Sequence, residues 1–213
     1  MDLHHWEVYF ATQTAIARDG TSGTAPHFEI NYGAFPEVQL HLITPFVYDN
    51  PSGNDNLHYG YGDTEFGVKW RFIQETDQMP QIGTFPITEI PTGSQSEGLG
   101  NGKQQLFLPL WAQKSWGKWT TYGGGGYWLN PGEGNKNYWF TGWLLQRQVT
   151  EKLALGGEVL YATPSEVDTH SRTGMNFGGI YDFTENYHLL FSAGRDIKGP
   201  NLLISYLGFQ ITF

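Results

Sequence analysis

The chain has no cysteine, so disulfides and thiolate metal sites are excluded. Charge is scarce as well: 15% of the 213 residues are charged, against about a quarter in an ordinary soluble domain. Basic residues are the scarcer sign, 12 Lys and Arg against 21 Asp and Glu, for a net charge of -9. That balance excludes a nucleic-acid partner, because phosphate binding requires clustered Lys and Arg. Long apolar runs are missing. A spanning helix needs about 18 consecutive apolar residues, and the longest run here, 106–112, is strand-sized and contains Pro109. No basic-then-apolar leader opens the chain; Asp2, His4, His5 and Glu7 stand where it would lie. The chain therefore reads as a mature form whose leader has been removed and to which an initiator Met1 has been added, or as a recombinant product. A soluble cytoplasmic protein is the competing explanation.

Glycine and aromatic residues are abundant: 28 Gly, 8 Trp, 12 Tyr and 14 Phe. Together they suggest sheets with aromatic girdles and tight turns. Alternation and turn residues predict about twelve strands, at 4–17, 27–33, 37–48, 62–75, 80–91, 103–115, 118–129, 137–149, 152–163, 172–183, 187–196 and 201–213. The connections alternate in length. Short ones fall at 34–36, 76–79, 116–117, 150–151 and 184–186. Longer ones, rich in Gly, Asn, Asp, Ser and Pro, fall at 18–26, 49–61, 92–102, 130–136, 164–171 and 197–200. Short turns at one end and longer loops at the other match a transmembrane barrel. An even count lets the first strand pair with the last and removes the edges.

Period-two patterning gives each strand two faces. Phe66, Val68, Trp70 and Phe72 share one face of their strand, and Asp63, Glu65, Gly67, Lys69 and Arg71 the other. The last strand sets Leu203, Ser205, Leu207, Phe209, Ile211 and Phe213 on one face, in a span suited to a tilted strand crossing a bilayer. A soluble sandwich would bury the apolar face in a core; a membrane barrel turns it to lipid. The alternation alone fits both. Three signals favour the barrel. The chain ends on Phe213 after hydrophobic residues at every second position, which looks like the C-terminal assembly signal of bacterial outer-membrane barrels, carried by Phe209, Ile211 and Phe213. The connections are asymmetric. Trp6, Tyr48, Trp116, Trp119, Trp128, Tyr138, Trp139, Tyr161 and Tyr187 lie near strand ends, where amphipathic rings meet the bilayer interface. The expected fold is an all-β, antiparallel, up-and-down transmembrane barrel of about twelve strands, one domain over 1–213, with periplasmic termini.

Three segments carry a family resemblance: Tyr59-Gly-Tyr-Gly-Asp63-Thr-Glu-Phe-Gly-Val-Lys69-Trp-Arg71, Phe85-Pro86-Ile-Thr-Glu89-Ile-Pro91-Thr-Gly93, and Trp119-Thr-Thr-Tyr-Gly-Gly-Gly-Gly-Tyr-Trp128. The chain resembles the proteobacterial outer-membrane transporter family named for the MetA pathway of phenol degradation, from about the third strand onward. The Gly-Asp start of one strand and the Pro-Thr-Gly end of the next are its most specific points. The resemblance implies an outer-membrane barrel of a Gram-negative bacterium and uptake of small organic or aromatic molecules. It carries no substrate residues over.

The faces themselves supply the candidate solute pathway: Glu29, Glu37, His41, Glu65, Lys69, Arg71, Glu89, Gln105, Gln113, Gln146, Glu158, Arg172, Asn176 and His188, with Glu7, Asp63, Gln148, Asp182 and Gln210 on the same faces. These residues either line a pore and select solutes by charge, or pair across strands and plug the lumen, because unpaired charge in a partly dry interior is costly. Glu65, Lys69 and Arg71 can pair among themselves and with Glu37 or Glu89. The Gly123–Gly126 run either relieves curvature or leaves room for a facing Trp or Tyr; a bend is expected rather than a widened lumen, and Pro86–Pro91 and Pro109 are expected to cause bulges. Passive channel function is the leading expectation. A plugged structural or adhesive barrel is the alternative, and a lipid-modifying enzyme the third. For the last, His188 and Ser192 share a face but lie roughly 13 Å apart along a strand, and His170–Ser171 forms no triad. His4–His5 beside Asp2 reads as an exposed polar pair, and Asp49, Asp55 and Asp63 lack calcium-loop spacing. No cofactor or metal is expected. The implied partners are membrane lipid and lipopolysaccharide, a small-molecule solute and the outer-membrane assembly machinery.

Overall fold

The computed structural model describes residues 3–52 and 57–213; Asp2 and Asp55 lie outside them. Fourteen strands follow one another along the chain: β1 (Trp6–Ala17), β2 (Gly20–Phe35), β3 (Val38–Pro51), β4 (His58–Tyr61), β5 (Thr64–Ile73), β6 (Gln81–Thr84), β7 (Ile87–Ile90), β8 (Gln105–Trp116), β9 (Trp119–Leu129), β10 (Tyr138–Gln148), β11 (Leu153–Ala162), β12 (Arg172–Asp182), β13 (Tyr187–Lys198) and β14 (Asn201–Thr212). Both β4 and β5 pair with β3, and both β6 and β7 pair with β5 and β8. Each of these two couples is one broken stave, so the wall has twelve staves, all antiparallel. It closes where β1 pairs with β14. The Trp6 and Phe213 backbones exchange two hydrogen bonds, 2.8 and 3.0 Å.

Closure inverts the layout of a soluble protein. Among the described residues, the buried hydrophobic side chains are Ala11, Leu99, Phe107 and Ala154, whereas Asn31, Gln39, His41, Asn130, Asn176 and Asp196 are buried polar ones. Many large apolar side chains point outward instead: Phe66 is 41% exposed, Trp70 50% and Phe177 63%. A soluble sheet protein could not keep such a surface in water. A bilayer accommodates it, because a closed sheet pairs its strands' backbone groups with one another and leaves no edge.

Boundaries follow the expected ones closely at most strands, with one large departure. The region 18–26, expected as a loop, is strand: β2 begins at Gly20 and pairs with both β1 and β3 through Thr24. Its turn-forming residues Gly20, Ser22, Gly23 and Pro26 hid it. The register slips on both sides of Ala25–Pro26, because proline has no N–H for the ladder. The Thr12 hydroxyl donates to the Thr24 carbonyl at 2.9 Å beside that slip. Gly23 packs so close to β1 that a Cβ there would lie 2.0 Å from the Gln13 carbonyl oxygen.

The expected proline bulges divide. Pro86 breaks its stave, separating β6 from β7. Pro109 causes no bulge: its register with β9 runs unbroken, Leu108 to Tyr127 and Pro109 to Gly126. Its missing donor falls opposite the Phe85–Pro86 break, where neither β6 nor β7 pairs with it.

The β2–β3 turn carries a charged clamp. Glu37 holds φ of 65°, a left-handed conformation that few non-glycine residues adopt. Its carboxylate accepts from Arg71 Nε and, at 2.7 Å, from Gln74 Nε2. The Arg71 guanidinium keeps the Glu37 carboxyl below the usual carboxylate range. A depressed folded-state pKa means the clamp stabilises fully above the unfolded value of about 4.3. That contribution disappears as pH falls through the lowered folded value. We therefore expect Glu37→Gln to lower the urea midpoint in detergent at neutral pH, and to cause little loss well below the carboxylate range. An equal loss at both pH values would show that the charge of Glu37 has no part in the turn.

Candidate functional site

The barrel pleat turns every second side chain inward, and the inward set forms two unlike walls. β1, β2, β3, β5 and β7 bear Glu7, Glu29, Glu65 and Glu89, with Lys69 and, nearer the turn-side rim, Arg71 on the same face of β5. His41 sits at the centre of this wall. Its Nε2 lies 2.8 Å from a Glu65 carboxylate oxygen, and its Nδ1 lies 2.7 Å from Asn31 Oδ1 and 3.4 Å from Glu29. Asn31 Nδ2 donates to Glu29 at 2.7 Å. Both His41 nitrogens thus face acceptor oxygens, and the ring ties three strands together.

Some expected pairings did not form. Glu65 pairs with His41 rather than with Lys69 or Arg71. Lys69 lies over the Phe85 ring, 5.0 Å from its centroid. Arg71 meets Glu37, as expected, and donates to Gln81 at 3.2 Å at the turn-side rim. Glu89 stands opposite Glu65 in the register, and among the described residues no base forms an ion pair with it.

The second wall, β8 to β10, is aromatic. Phe107 stacks on Trp128 at 4.8 Å and meets Phe140 edge-on at 6.2 Å. Trp111 stacks on Tyr122 at 5.1 Å, and Trp128 on Tyr138 at 6.0 Å. Around a ring of twelve staves, β10 lies six from β2, so the aromatic wall faces the acidic one across the lumen. This wall was not foreseen. β8 is apolar on both faces, Leu106, Leu108 and Leu110 outward and Phe107, Pro109 and Trp111 inward, so its alternation carries no polarity signal. Trp128 and Tyr138, expected at the bilayer interface, point inward for the same reason.

The signal that could have found the wall is the glycine run. Gly124 and Gly126 face inward under the rings: a Cβ on Gly126 would lie 2.6 Å from a Phe107 ring carbon, and one on Gly124 2.8 Å from Trp111. The register through Gly123–Gly126 is continuous on both sides. No bulge interrupts the run, and the inward glycines make room for facing rings.

The remaining expected residues are also on inward faces. Gln105 donates to Asn130, and Gln113 pairs in register with Gln81 and Tyr122. Gln146 and Glu158 face inward on β10 and β11, and Asn176 donates to Glu158 at 2.7 Å. Arg172 lies 3.9 Å from the fully buried Asp196. His188 Nδ1 is 2.6 Å from Asp182 and has no contact with Ser192. His4 Nδ1 is 2.9 Å from the Tyr32 hydroxyl.

One mouth is narrowed by the loop after β7. Asp63, in the break between β4 and β5, accepts from the Gly93 N–H at 2.9 Å and the Asn101 N–H at 2.6 Å. The Thr92 hydroxyl donates to the Gly62 carbonyl at 2.8 Å and accepts from the Thr64 N–H at 2.9 Å. Gly93 and Gly100 have no room for a Cβ, which would meet the Leu99 carbonyl and the Asp63 carboxylate, both at 2.4 Å. Leu99 is consequently buried, 4% exposed. Residues 98–101 share a cavity of about 510 Å³ with Glu65 and Glu89.

No family model matches the chain, and no curated protein matches it. The MetA-pathway resemblance of 59–71 and 85–93 therefore has no matching family model behind it. Solved structures do match. An outer membrane channel from Pseudomonas putida superimposes with a TM-score of 0.86 at 15% identity, covering 100% of this chain and 97% of that one. The KdgM porin gives 0.68 at 10% identity, covering 97% and 99%. The CymD monoaromatic hydrocarbon channel gives 0.53 at 8% identity, covering 100% and 89%. At such identities the likeness establishes the fold, which is the closed barrel of outer-membrane channels and porins.

Proposed function

We propose that this barrel is an outer-membrane channel of a Gram-negative bacterium, admitting small organic solutes by passive diffusion. The observation that carries the reading is the two-sided lumen: carboxylates on one wall, stacked rings on the other, inside a shell whose outer face is apolar. Rings of one charge sign raise the local concentration of the opposite ion. Aromatic faces offer sequence-independent stacking to flat apolar solutes. The hydrocarbon named for one solved relative, and the phenol pathway named for the resembled family, point the same way as the aromatic wall. On this reading both termini are periplasmic, the outer surface meets lipid and lipopolysaccharide, and Phe209, Ile211 and Phe213 present the signal to the assembly machinery.

In planar bilayers the protein should give small conductance steps with cation preference, and liposomes carrying it should swell in small neutral or aromatic solutes. Replacing Glu65 and Glu89 by Gln should weaken the cation preference, read as a reversal potential nearer zero, while the barrel stays folded by its heat-dependent electrophoretic shift. The specific observation favouring a plugged barrel is the inward loop with buried Leu99. Folded protein in the bilayer with neither conductance nor solute entry would establish that reading and overturn the channel.

A further inference from the structure

A niche opens in the lumen wall between β10 and β14, whose last strand adjoins β1. Its volume is about 210 Å³, below the roughly 300–1,000 Å³ of sites for drug-sized ligands. Two inward glycines, Gly156 on β11 and Gly178 on β12, stand side by side in the register and leave its floor bare. The side walls are apolar, from Leu144, Ile180 and Leu190.

The polar groups of the niche are uncommitted. Glu158 accepts one hydrogen bond, from Asn176 Nδ2. Among the described residues no Lys, Arg or His forms an ion pair with it; Arg172, four residues from Asn176 along β12, is paired to Asp196. Asn176 is 8% exposed, and its Oδ1 has no partner. The side chains of Gln146, Ser192 and Tyr206 line the same niche and, among the described residues, make no hydrogen bond. A carboxylate set in a partly dry, apolar recess is costly without a counter-charge. Among the described residues none is supplied, which leaves the carboxylate open to a cationic ligand.

We propose that the niche is a binding site for a small organic amine, its ammonium on Glu158 and its apolar body, one ring in size, against Leu144, Ile180 and Leu190. The unpartnered Asn176 Oδ1 beside Glu158 is a further acceptor at the same level of the niche. The site rests on the channel reading only for how the solute arrives. Carboxylate solutes are repelled, and uncharged alcohols bind without the ion pair.

The test is titration calorimetry on the folded, detergent-solubilised full chain with benzylammonium, benzyl alcohol and benzoate. Saturable one-site binding of benzylammonium is expected, with benzyl alcohol weaker by about tenfold or more and benzoate silent. Glu158→Gln, which keeps the shape and an oxygen for Asn176, should weaken benzylammonium by about tenfold or more. Ser192→Leu, which fills the recess, should abolish binding. Glu185→Gln, the same charge change in the exposed β12–β13 turn, should leave the affinity intact. Equal affinity in the wild type and Glu158→Gln, equal binding of benzoate, or no saturable binding to folded protein would overturn the site. Bilayer conductance recorded in parallel separates the two readings. Conductance without amine binding removes the niche and leaves the channel; amine binding without conductance does the reverse.

Discussion

Val68→Arg is expected to lower stability by about 2–4 kcal/mol, the depth-dependent cost of an arginine on the lipid face near the bilayer midplane. Val68 is outward on β5, between Phe66 and Trp70, and pairs with Leu40 on β3. Neighbouring wall residues offer it no carboxylate, because the pleat sends Glu65 and its partners to the other face. The adjacent change, Lys69→Gln, tests the same pleat from inside. Lys69 faces the lumen and contacts Phe85, while Glu65 keeps His41 as its partner. Removing the charge therefore orphans no carboxylate and forfeits about 0.5–2 kcal/mol of cation–π attraction at most. Urea unfolding in detergent or lipid, followed by tryptophan fluorescence, gives both losses. If Lys69→Gln proved the more damaging, residue 69 would face lipid and the register of β5 would be off by one.

The outward face was legible because lipid and lumen demand opposite polarity, and the stretches 28–32, 38–42 and 65–72 obey that demand. Legibility failed where polarity did not alternate. β8 and β9 carry apolar or glycine residues on both faces, so the aromatic wall of Phe107, Trp111, Tyr122 and Phe140 gave no period-two contrast. It failed again at Gly20 to Pro26, where turn-forming residues sit within a strand: β1 leaves no room for a side chain at Gly23, and β3 crowds Gly20. The site was half legible. The expected inward residues that lie within strands are inward, since parity fixes that, whereas Glu37 sits in the β2–β3 turn and Asp63 in the break between β4 and β5, and partners depend on neighbouring strands. His41 took Glu65 because β3 and β5 set them side by side, a long-range fact no local pattern contains. Asp63 reads in sequence as a lumen acid, yet it anchors the loop at Gly93 and Asn101. The Gly-Asp and Pro-Thr-Gly segments, which stood out as motifs 30 residues apart, are two halves of that one anchor.

The glycine run offers the sharper contrast for stability. Gly126→Ala puts a methyl group 2.5 Å from the Pro109 Cα, 2.6 Å from the Phe107 ring and 2.7 Å from the Leu108 carbonyl oxygen. Two of those atoms are backbone of the neighbouring strand, and the ring is itself held between Trp128 and Phe140. Nothing there yields cheaply, so the change should cost about 1–3 kcal/mol, as overpacking does in a dense interior. Gly123→Ala lies in the same run but on the outward face. Its methyl group would meet Trp143 Cδ1 at 3.1 Å and the Gly142 carbonyl oxygen at 3.3 Å. Trp143 is 53% exposed and can shift into the surrounding lipid, so this variant should stay near the wild type. Alanine also fits an extended strand better than glycine does, which favours Gly123→Ala further. The measurement is a pair of urea midpoints in one detergent, with near-ultraviolet circular dichroism to report the stacked rings. Loss of midpoint and of the aromatic signal is expected for Gly126→Ala alone. Equal losses at both positions would mean that the run serves the bending of β9, and that the rings do not require bare glycine beneath them.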